Sequence, residues 1–387
     1  MTDLPTQVPP TSAATTCPSC GSAAEPGASF CESCGSALPA GSVLLAAVTP
    51  NPETDAAPVE LTRPTSVAAP AAAPLPTPRC LACGGEVGPD GYCTTCGTLA
   101  PSPRDHYVEQ PAGWVAACCD KGIKHHRNED ATAVAADPEP GSRAVLVVCD
   151  GVSTSADSDV ASLAAARRAR DVLVALQPAG LGTPASRAAA IAAALDNAVA
   201  QANEAVVETT APDSDNAASC TFAGAVLEGD LLVFGNVGDS RVYWLPDPAG
   251  PPAGPAPAPR PGVASFSSAL PTELSLDDSM AQARIAMGVS REEAENGPQA
   301  HAITKWLGRD SPDFRPRTGS VLLDRPGWVL VCSDGLWNYA STAETLQALV
   351  GELTAGPAAP LDLAEALVGW ANAQGGRDNI SVALARH

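Results

Sequence analysis

The chain has few basic residues for its length. Its 387 residues include 22 Lys and Arg against 43 Asp and Glu, which gives a formal net charge of −21. Nucleic acids and anionic membranes attract proteins through clustered positive charge, so neither is expected as a partner. The chain also lacks an apolar stretch near the roughly 20 residues that span a bilayer. Residues 1–10 have neither the basic start nor the apolar core of a signal peptide, and we therefore expect a cytoplasmic protein.

Aromatic residues are scarce at 4%, but this scarcity is regional because proline is concentrated in a few tracts. Residues 1–16 are predicted to be a disordered tail. Residues 36–79 are dense in Pro, Ala and Thr and predict an extended linker, and residues 98–112 predict a shorter one. Residues 246–261 contain eight prolines, so we expect a disordered loop that cannot continue a sheet. The main domain is predicted at residues 113–387.

Eight of the thirteen cysteines form two quartets of paired C-x-x-C motifs: Cys17, Cys20, Cys31 and Cys34, then Cys80, Cys83, Cys93 and Cys96. Structural zinc prefers four such thiolates, so residues 17–35 and 80–97 are predicted to be two zinc ribbons that need metal to fold. A redox dithiol or free thiols are the alternatives, but a redox pair normally lies beside a βαβ pattern, which is not visible here. Neither ribbon contains Lys or Arg, which favours protein contact or structural capping over nucleic-acid binding.

From Trp114 onward, apolar residues follow the periods of strands and helices. Strand-like runs occur at residues 115–119, 144–149, 222–227, 231–234 and 242–245. Helical patterns cover about residues 159–176, 186–208, 279–287, 342–353 and 361–373. Hairpins interleaved with helix pairs predict an α+β fold in which antiparallel sheet is covered by helices.

Acidic residues stand where several predicted strands end or begin. The segments are Asn128-Glu129-Asp130, Asp150-Gly151, Asp334-Gly335 and Asp378-Asn379, and a fifth acid, Asp239, lies in residues 236–241. Strand ends that converge would gather these carboxylates into a cluster that requires neutralising charge. Mg²⁺ and Mn²⁺ prefer carboxylate and carbonyl oxygen, so a divalent cation is the simplest partner. The alternative for any one Asp-Gly pair is a simple turn.

Six motifs, in order, resemble those of the metal-dependent Ser/Thr protein phosphatases of type 2C, particularly the bacterial members. They are Asp120-Lys121-Gly122 with Asn128-Glu129-Asp130-Ala131, Val148-Cys149-Asp150-Gly151, Asn236-Val237-Gly238-Asp239-Ser240-Arg241, Ile303-Thr304-Lys305-Trp306-Leu307-Gly308, Cys332-Ser333-Asp334-Gly335-Leu336-Trp337, and Gly376-Arg377-Asp378-Asn379-Ile380-Ser381. The resemblance implies a four-layer α-β-β-α sandwich, with a mobile flap at about residues 272–298. It also implies hydrolysis of phosphoserine and phosphothreonine in proteins by a water that bridges two Mn²⁺ or Mg²⁺ ions, without a covalent phosphoenzyme.

The resemblance also assigns metal-binding roles to seven residues: Asp150, Gly151, Asp334, Asp378, Glu129, Asp130 and Asp239. Asp150 would bridge the two ions, and the Gly151 carbonyl would serve the second. Asp334 and Asp378 would complete the shell of the first ion. Glu129 and Asp130 would act on the second ion through water. Asp239 would serve a third ion together with Asp334, and Asn379 would position Asp378.

Two positions depart from the pattern of the family. His125 stands where many relatives carry an Arg that grips the substrate phosphate, a task that suits a bidentate and permanently charged group. We expect His125 to bind phosphate more weakly or with a stronger pH dependence, with His126 and Arg127 as compensating charges. The alternative is that these three residues form only a solvated basic turn. Residues 276–279 stand where many relatives have a Thr-x-Asp-His-Ser signature, a departure that is expected to leave catalysis intact but to alter substrate handling.

The remaining cysteines mostly lie in or beside apolar runs and are expected to be buried and unreactive: Cys118, Cys119, Cys149, Cys220 and Cys332. By family analogy, the expected partners are phosphorylated proteins, in particular targets of a bacterial Ser/Thr kinase. An alternative is a degenerate phosphatase domain that acts as a phosphoprotein-binding scaffold with zinc-ribbon interaction modules. The intact Asp150, Asp334 and Asp378 argue against that alternative, and His125 is its only support.

Overall fold

The chain divides into two units, Met1–Leu75 and Pro76–His387. The computed structural model describes the backbone at residues 15–16 and 23–24, and residues 79–80, 83–98, 100, 102–175, 182–248, 267–354 and 358–387. In the first unit, the described residues form an antiparallel ladder between β1 (Thr15–Thr16) and β2 (Ala23–Ala24). The first predicted zinc ribbon lies outside the described residues at all four of its cysteines: Cys17, Cys20, Cys31 and Cys34.

Two antiparallel sheets form the centre of the second unit. Its strands are β3 (His106–Ala112), β4 (Val115–Asp120), β5 (Ala131–Ala136), β6 (Ala144–Cys149), β7 (Ser219–Cys220), β8 (Phe222–Glu228), β9 (Leu231–Val237), β10 (Arg241–Pro246), β11 (Thr272–Glu273), β12 (Leu307–Gly308), β13 (Arg317–Leu322), β14 (Gly327–Cys332) and β15 (Ile380–Arg386). The first sheet has the order β11-β10-β14-β15-β4-β3, and the second has the order β13-β9-β8-β6-β5. Strands β7 and β12 pair in a separate short ladder.

Helices cover the outer face of each sheet. The described helices are α1 (Ser158–Ala175), α2 (Pro184–Thr209), α3 (Met280–Ala286), α4 (Arg291–Glu295), α5 (Asp334–Trp337), α6 (Ala343–Leu353) and α7 (Pro360–Ala373). Apolar residues of α1 and α2 pack on the second sheet, and those of α5, α6 and α7 pack on the first. A third apolar cluster joins the inner faces of the two sheets. The expected four-layer α-β-β-α sandwich is therefore confirmed. Within the described part of the chain, no helix has both the length and the apolar character needed to cross a membrane.

Strand β6 shows why the sequence adopts this arrangement. Successive side chains of a strand point to opposite faces, and Val145 and Val147 pack toward α1 and α2. Leu146 and Val148 instead pack against the other sheet. Because both faces are buried, the strand reads as a continuous apolar run that ends at Asp150.

The structure corrects two boundaries that the proline tracts suggested. The prediction of a connector at residues 98–112 is wrong for residues 106–112, which form the edge strand β3. Pro111 is tolerated there because it lies at a register shift between Glu109 and Ala112, on a strand with one free edge. Pro246 pairs with Gly327 as the last residue of β10, so the sheet continues one residue into the predicted loop. Residues 249–261 of that loop lie outside the described residues.

Candidate active site

Acidic residues from both sheets converge at the same end of the sandwich. Asp150 directly follows β6, and Asp130 directly precedes β5, in the second sheet. Asp334 follows β14 after one residue, and Asp378 precedes β15, in the first sheet. The hydroxyl of Ser333 donates a hydrogen bond of 2.6 Å to Asp130 Oδ2 and so joins the two sheets at this point. The predicted convergence of strand ends therefore occurs across two sheets.

Asp150 lies among the other carboxylates. Its amide donates to Thr221 Oγ1 at 3.0 Å, and the Thr221 amide donates to the Asp150 carbonyl at 2.7 Å, which fixes the end of β6. Burial, reinforced by the charges of Asp130 and Asp334, raises the pKa of Asp150 well above the ordinary carboxyl value. A group of buried acids that repel one another is stabilised either by protons or by a cation.

Two carboxylate oxygens in the cluster are buried without a hydrogen-bond partner, Asp130 Oδ1 and Asp334 Oδ1. Burial raises the pKa of Asp130 to about 7, although Ser333 donates to its other oxygen. Burial and the charge of Asp378 raise the pKa of Asp334 well above its usual range. Buried polar atoms normally have partners, so these two oxygens are suited to a ligand that the protein itself does not supply. The donor set is all oxygen, which fits Mg²⁺ or Mn²⁺.

Glu129 is held as an ionised carboxylate. Burial raises its pKa, but hydrogen bonds from Ser158, Arg127 and Ser153 outweigh burial, so the pKa is lowered overall. These donors lie at 2.5 Å for Ser158, 2.8 and 3.1 Å for Arg127, and 2.9 Å for Ser153. Gly151 packs closely against this residue, because a Cβ at Gly151 would lie 2.6 Å from the Glu129 carbonyl oxygen.

Asn379 fixes the loop that carries Glu129. Its side-chain oxygen accepts from the Glu129 amide at 2.8 Å, and its side-chain nitrogen donates to the carbonyls of Lys121 and Arg127. The expected contact with Asp378 is made by the Asn379 backbone amide, at 2.8 Å from Asp378 Oδ1. Asn379 is buried, so this side chain acts as an internal brace.

The same loop is braced from the other side by Arg104. The Arg104 guanidinium donates to the carbonyls of Asp130 at 2.6 Å and Asn128 at 3.3 Å. The Asn128 side chain donates back to the Arg104 carbonyl at 2.8 Å. The backbone around the two acids is therefore tied to the segment that precedes β3.

His125 faces the acidic cluster. Its Nε2 lies 3.1 Å from Asp378 Oδ1, and its Nδ1 lies 3.6 Å from Glu129 Oε2. Arg127 pairs with Glu129 and lies 3.7 Å from Asp159, while its side chain stays 48% exposed. Both residues line a hollow of about 380 Å³ together with three further nitrogen-bearing side chains: Lys124, His126 and Arg377.

Asp239 contributes to a second group of possible metal ligands. Ligand atoms of Asp239, His301 and Asp334 all lie within 4.8 Å of one another. Burial and the charge of Asp277 raise the pKa of Asp239 to about 7. His301 comes from the segment that follows the predicted flap, and the sequence alone did not indicate it as a ligand.

The flap segment is anchored to the first sheet through Arg241. This buried side chain makes ion pairs with Asp277 at 2.7 Å, with Glu295 at 2.9 Å and with Glu273 at 3.5 Å. Its guanidinium carbon lies 3.6 Å from the ring centre of Trp337. The altered residues 276–279 contribute to this anchoring, because Asp277 pairs with Arg241 and Ser279 caps α3.

The second cysteine quartet is a compact thiol cluster. The Sγ atoms of Cys80, Cys83, Cys93 and Cys96 lie within 4.8 Å of one another. Neighbouring sulfurs are 3.4 to 3.6 Å apart, well beyond the roughly 2.05 Å of a disulfide, so the thiols are free. Four sulfurs this close together could hold one metal ion.

The five remaining cysteines are buried as expected: Cys118, Cys119, Cys149, Cys220 and Cys332. Burial raises the pKa of Cys118 and Cys119 to about 12. The thiolate is the reactive form of cysteine, so these two are poor nucleophiles.

Comparisons with known proteins agree with this geometry. Residues 17–97 match the double zinc ribbon family, and residues 123–254 match the protein phosphatase 2C family. A serine/threonine phosphatase, stp, of Listeria innocua is 26% identical over 267 residues, which cover 68% of this chain and 92% of that protein. Protein phosphatase PhpP of Streptococcus pneumoniae is 36% identical over 114 residues, which cover 29% of this chain and 44% of that protein.

Solved structures share the fold. The PPM Ser-Thr phosphatase MsPP of Mycobacterium smegmatis, solved in complex with cacodylate, has a TM-score of 0.52 at 25% identity, with 70% of this chain and 97% of that chain covered. The S. agalactiae serine/threonine phosphatase has a TM-score of 0.53 at 22% identity, with 72% and 98% covered.

Residues 123–254 thus match the protein phosphatase 2C family, and the fold is shared with a solved PPM Ser-Thr phosphatase. These matches support a bacterial-type protein Ser/Thr phosphatase that carries a double zinc ribbon in its N-terminal part.

Proposed function

We propose that the protein hydrolyses phosphoserine and phosphothreonine in other proteins with two Mn²⁺ or Mg²⁺ ions held by its sheet-end carboxylates. The observation that carries this proposal is the pair of buried, unpartnered oxygens of Asp130 and Asp334 inside an acidic cluster. When bound, two such ions acidify a water molecule and neutralise negative charge on a phosphoryl group. Residues of this chain would hold the ions and bind the substrate phosphate.

Asp150 is assigned as the ligand shared by both ions, because the charges of Asp130, Asp334 and Asp378 all act on it. Asp334 and Asp378 would serve one ion. The Gly151 carbonyl, Glu129 and Asp130 would serve the other, the two acids through water. Thr221 holds the backbone of Asp150, and Ser333 orients Asp130.

His125 and Arg127 are assigned to the substrate phosphate. Both line the hollow beside Glu129, and the exposed part of Arg127 offers charge toward that hollow. A phosphate group there would compete with Glu129 and Asp378 for the His125 ring, since both carboxylates now lie close to it. This competition supports the expectation of weaker phosphate binding than an arginine would give.

Water is assigned as the nucleophile, without a covalent phosphoenzyme. The thiols nearest to the acids along the chain, Cys149 and Cys332, are fully buried. Burial raises the pKa of Cys149 well above its usual range, which disfavours the nucleophilic thiolate.

The ribbons are proposed to hold two structural Zn²⁺ ions and to contact proteins. The closely spaced thiols of Cys80, Cys83, Cys93 and Cys96 support this for the second ribbon. We further propose a cytoplasmic location and substrates phosphorylated by a bacterial Ser/Thr kinase. The nine described cysteines are free, which is consistent with a reducing compartment.

The test is Asp150→Asn in the full chain, measured with p-nitrophenyl phosphate and a phosphothreonine peptide in Mn²⁺. We expect kcat/KM to fall at least about a hundredfold, comparable with the loss of one preorganised electrostatic group. The matched control is Asp137→Asn, an exposed acid after β5, which should retain activity. Undiminished hydrolysis by Asp150→Asn would contradict the proposal, and phosphopeptide binding without turnover by the wild type would indicate a scaffold instead.

A further inference from the structure

His301 lies where the flap segment meets Asp239 and Asp334. Its Nδ1 lies 3.9 Å from Asp334 Oδ2, and its ring stacks on Trp337 with ring centres 6.2 Å apart. The side chain is 56% exposed and lines a cleft of about 1110 Å³ with Asp334 and Asp378. The imidazole is therefore open to a ligand from solvent while one face rests on a fixed ring.

We infer that His301 is a metal ligand that joins Asp239 and Asp334 to hold a third divalent cation. The bound ion would attach the flap segment to the carboxylate cluster. This inference rests on the proposed function, since Asp334 is shared with the two-ion centre. Three ligand atoms within 4.8 Å of one another offer one nitrogen and two carboxylate oxygens. One oxygen of this group, Asp334 Oδ1, is buried without a hydrogen-bond partner and is therefore suited to a cation.

The ligand set indicates which cation is preferred. Mg²⁺ is bound mainly through oxygen and water, whereas imidazole suits Zn²⁺ and other transition metals. A site with one imidazole and two carboxylates should therefore take Mn²⁺ or Zn²⁺ more tightly than Mg²⁺. The third ion would differ in selectivity from the all-oxygen pair.

The backbone supports a fixed position for His301. Ala300 is buried in a small core with Ala281 and Ala294, which belong to α3 and α4. The Met280 amide donates to the Ala302 carbonyl at 2.9 Å on the other side of His301. Anchored on both sides, His301 connects the small core of the flap segment to Asp334. An ion at this position would add a second attachment to the one made by Arg241.

The first experiment counts Mn²⁺ ions by calorimetric titration of the full chain, with the ribbons loaded with Zn²⁺. We expect His301→Asn to weaken the weakest Mn²⁺ step at least about tenfold, because even residues that only support metal ligands change affinity by about 10- to 100-fold. His106→Asn is the matched control, since its side chain is similarly exposed at 52% and lies outside the cluster. An unchanged titration of His301→Asn would overturn the inference, as would a wild type that binds only two ions.

A second variant separates ligation from a structural effect. His301→Asp replaces the nitrogen with oxygen, so it should restore the third step and shift its preference from Mn²⁺ toward Mg²⁺. In hydrogen exchange, Mn²⁺ should slow exchange at residues 297–302 in the wild type but not in His301→Asn. Equal slowing of hydrogen exchange in both proteins would contradict the attachment of the flap segment through His301.

The outcomes also distinguish this inference from the proposed function. If the two-ion centre is absent, Asp150→Asn binds as many ions as the wild type. If only the role of His301 is wrong, Asp150→Asn loses tightly bound ions and His301→Asn loses none.

Discussion

The two clusters of possible metal ligands in this protein differ in how they are built. The thiol cluster is drawn from Cys80 to Cys96 and needs little more than two turns to bring its sulfurs together. The carboxylate cluster draws on residues from Glu129 to Asp378 and exists only because two sheets pack face to face. The first cluster is a property of local spacing, and the second is a property of the whole fold. Substitutions far from the carboxylates in sequence should therefore affect the carboxylate cluster. Substitutions in the second ribbon should leave that cluster unaffected.

The largest expected effect is that of Arg241→Met, which removes a buried cation far from Asp150 in sequence. Asp277, Glu295 and Glu273 would lose their common partner, and such a loss typically costs about 3–5 kcal/mol. Urea unfolding followed by tryptophan fluorescence measures this free energy. The control is Arg325→Met, which breaks a more exposed ion pair with Asp324 and should cost at most about 1 kcal/mol. Equal stability of the two variants would show that the contacts of Arg241 with the flap segment do not add to the free energy of unfolding.

The next effect concerns the pH dependence of the metal-free protein. Because the pKa of Asp130 is raised to about 7, the folded state binds a proton that the unfolded state has already lost above about pH 4. Stability should thus fall as pH rises from about 4 to about 7. Asp130→Asn should stabilise the metal-free protein by on the order of 4 kcal/mol at pH 8 and much less at pH 4.5, given a rise of about three pKa units at about 1.4 kcal/mol per unit.

Thermal unfolding in EDTA at both pH values measures that difference. Saturating Mn²⁺ should reverse the order of stability, because the wild type then gains more from bound metal. A variant that is less stable than the wild type in EDTA at pH 8 would contradict charge repulsion within the cluster.

A smaller effect is expected for His125→Arg. Arginine keeps its charge across the physiological pH range, whereas histidine loses its charge within it. We expect kcat/KM of the variant to exceed that of the wild type by about two- to fivefold at pH 8, within the range of an exposed charge interaction, and to match it at pH 6. Profiles of kcat/KM from pH 5.5 to 9 test this, and superimposable curves would remove His125 from the substrate site.

The smallest effect is expected for Cys93→Ser in the second ribbon. The variant should lose one Zn²⁺ per chain, while kcat/KM for p-nitrophenyl phosphate changes by no more than about twofold, because distant sites act independently. Zinc analysis and steady-state rates measure the two quantities. A large loss of activity would mean that the ribbon supports the loop that carries Glu129 and Asp130.

Sequence reasoning located the parts of the fold that are buried on both faces. Strands β6 and β14 read as continuous apolar runs, and the acids that follow them were therefore placed correctly. It missed β3, β5 and β13, whose residues alternate or are small: Tyr107 and Glu109 in β3, the alanines of β5, and Thr318 and Gly319 in β13. Edge strands and Ala-rich strands carry little apolar signal, because packing by neighbours specifies them.

The acidic site was predictable because each carboxylate is attached to a recognisable strand end. His301 was not predictable, because its distance from Asp239 depends on how α3 and α4 fold back on the sheet. The side-chain contacts of Asn379 with Lys121 and Arg127 have the same origin. The spacing of residues along the chain predicts neither the position of His301 nor the contacts of Asn379.

The brace made by Arg104 has a practical consequence for dissecting this enzyme. A truncation at Gly113, where the proline-rich region was expected to end, would remove β3 and leave the edge of β4 bare. It would also leave the carbonyls of Asn128 and Asp130 without their guanidinium donor. The shortest fragment that keeps the backbone of Asn128 and Asp130 tied to Arg104 therefore begins near Ser102.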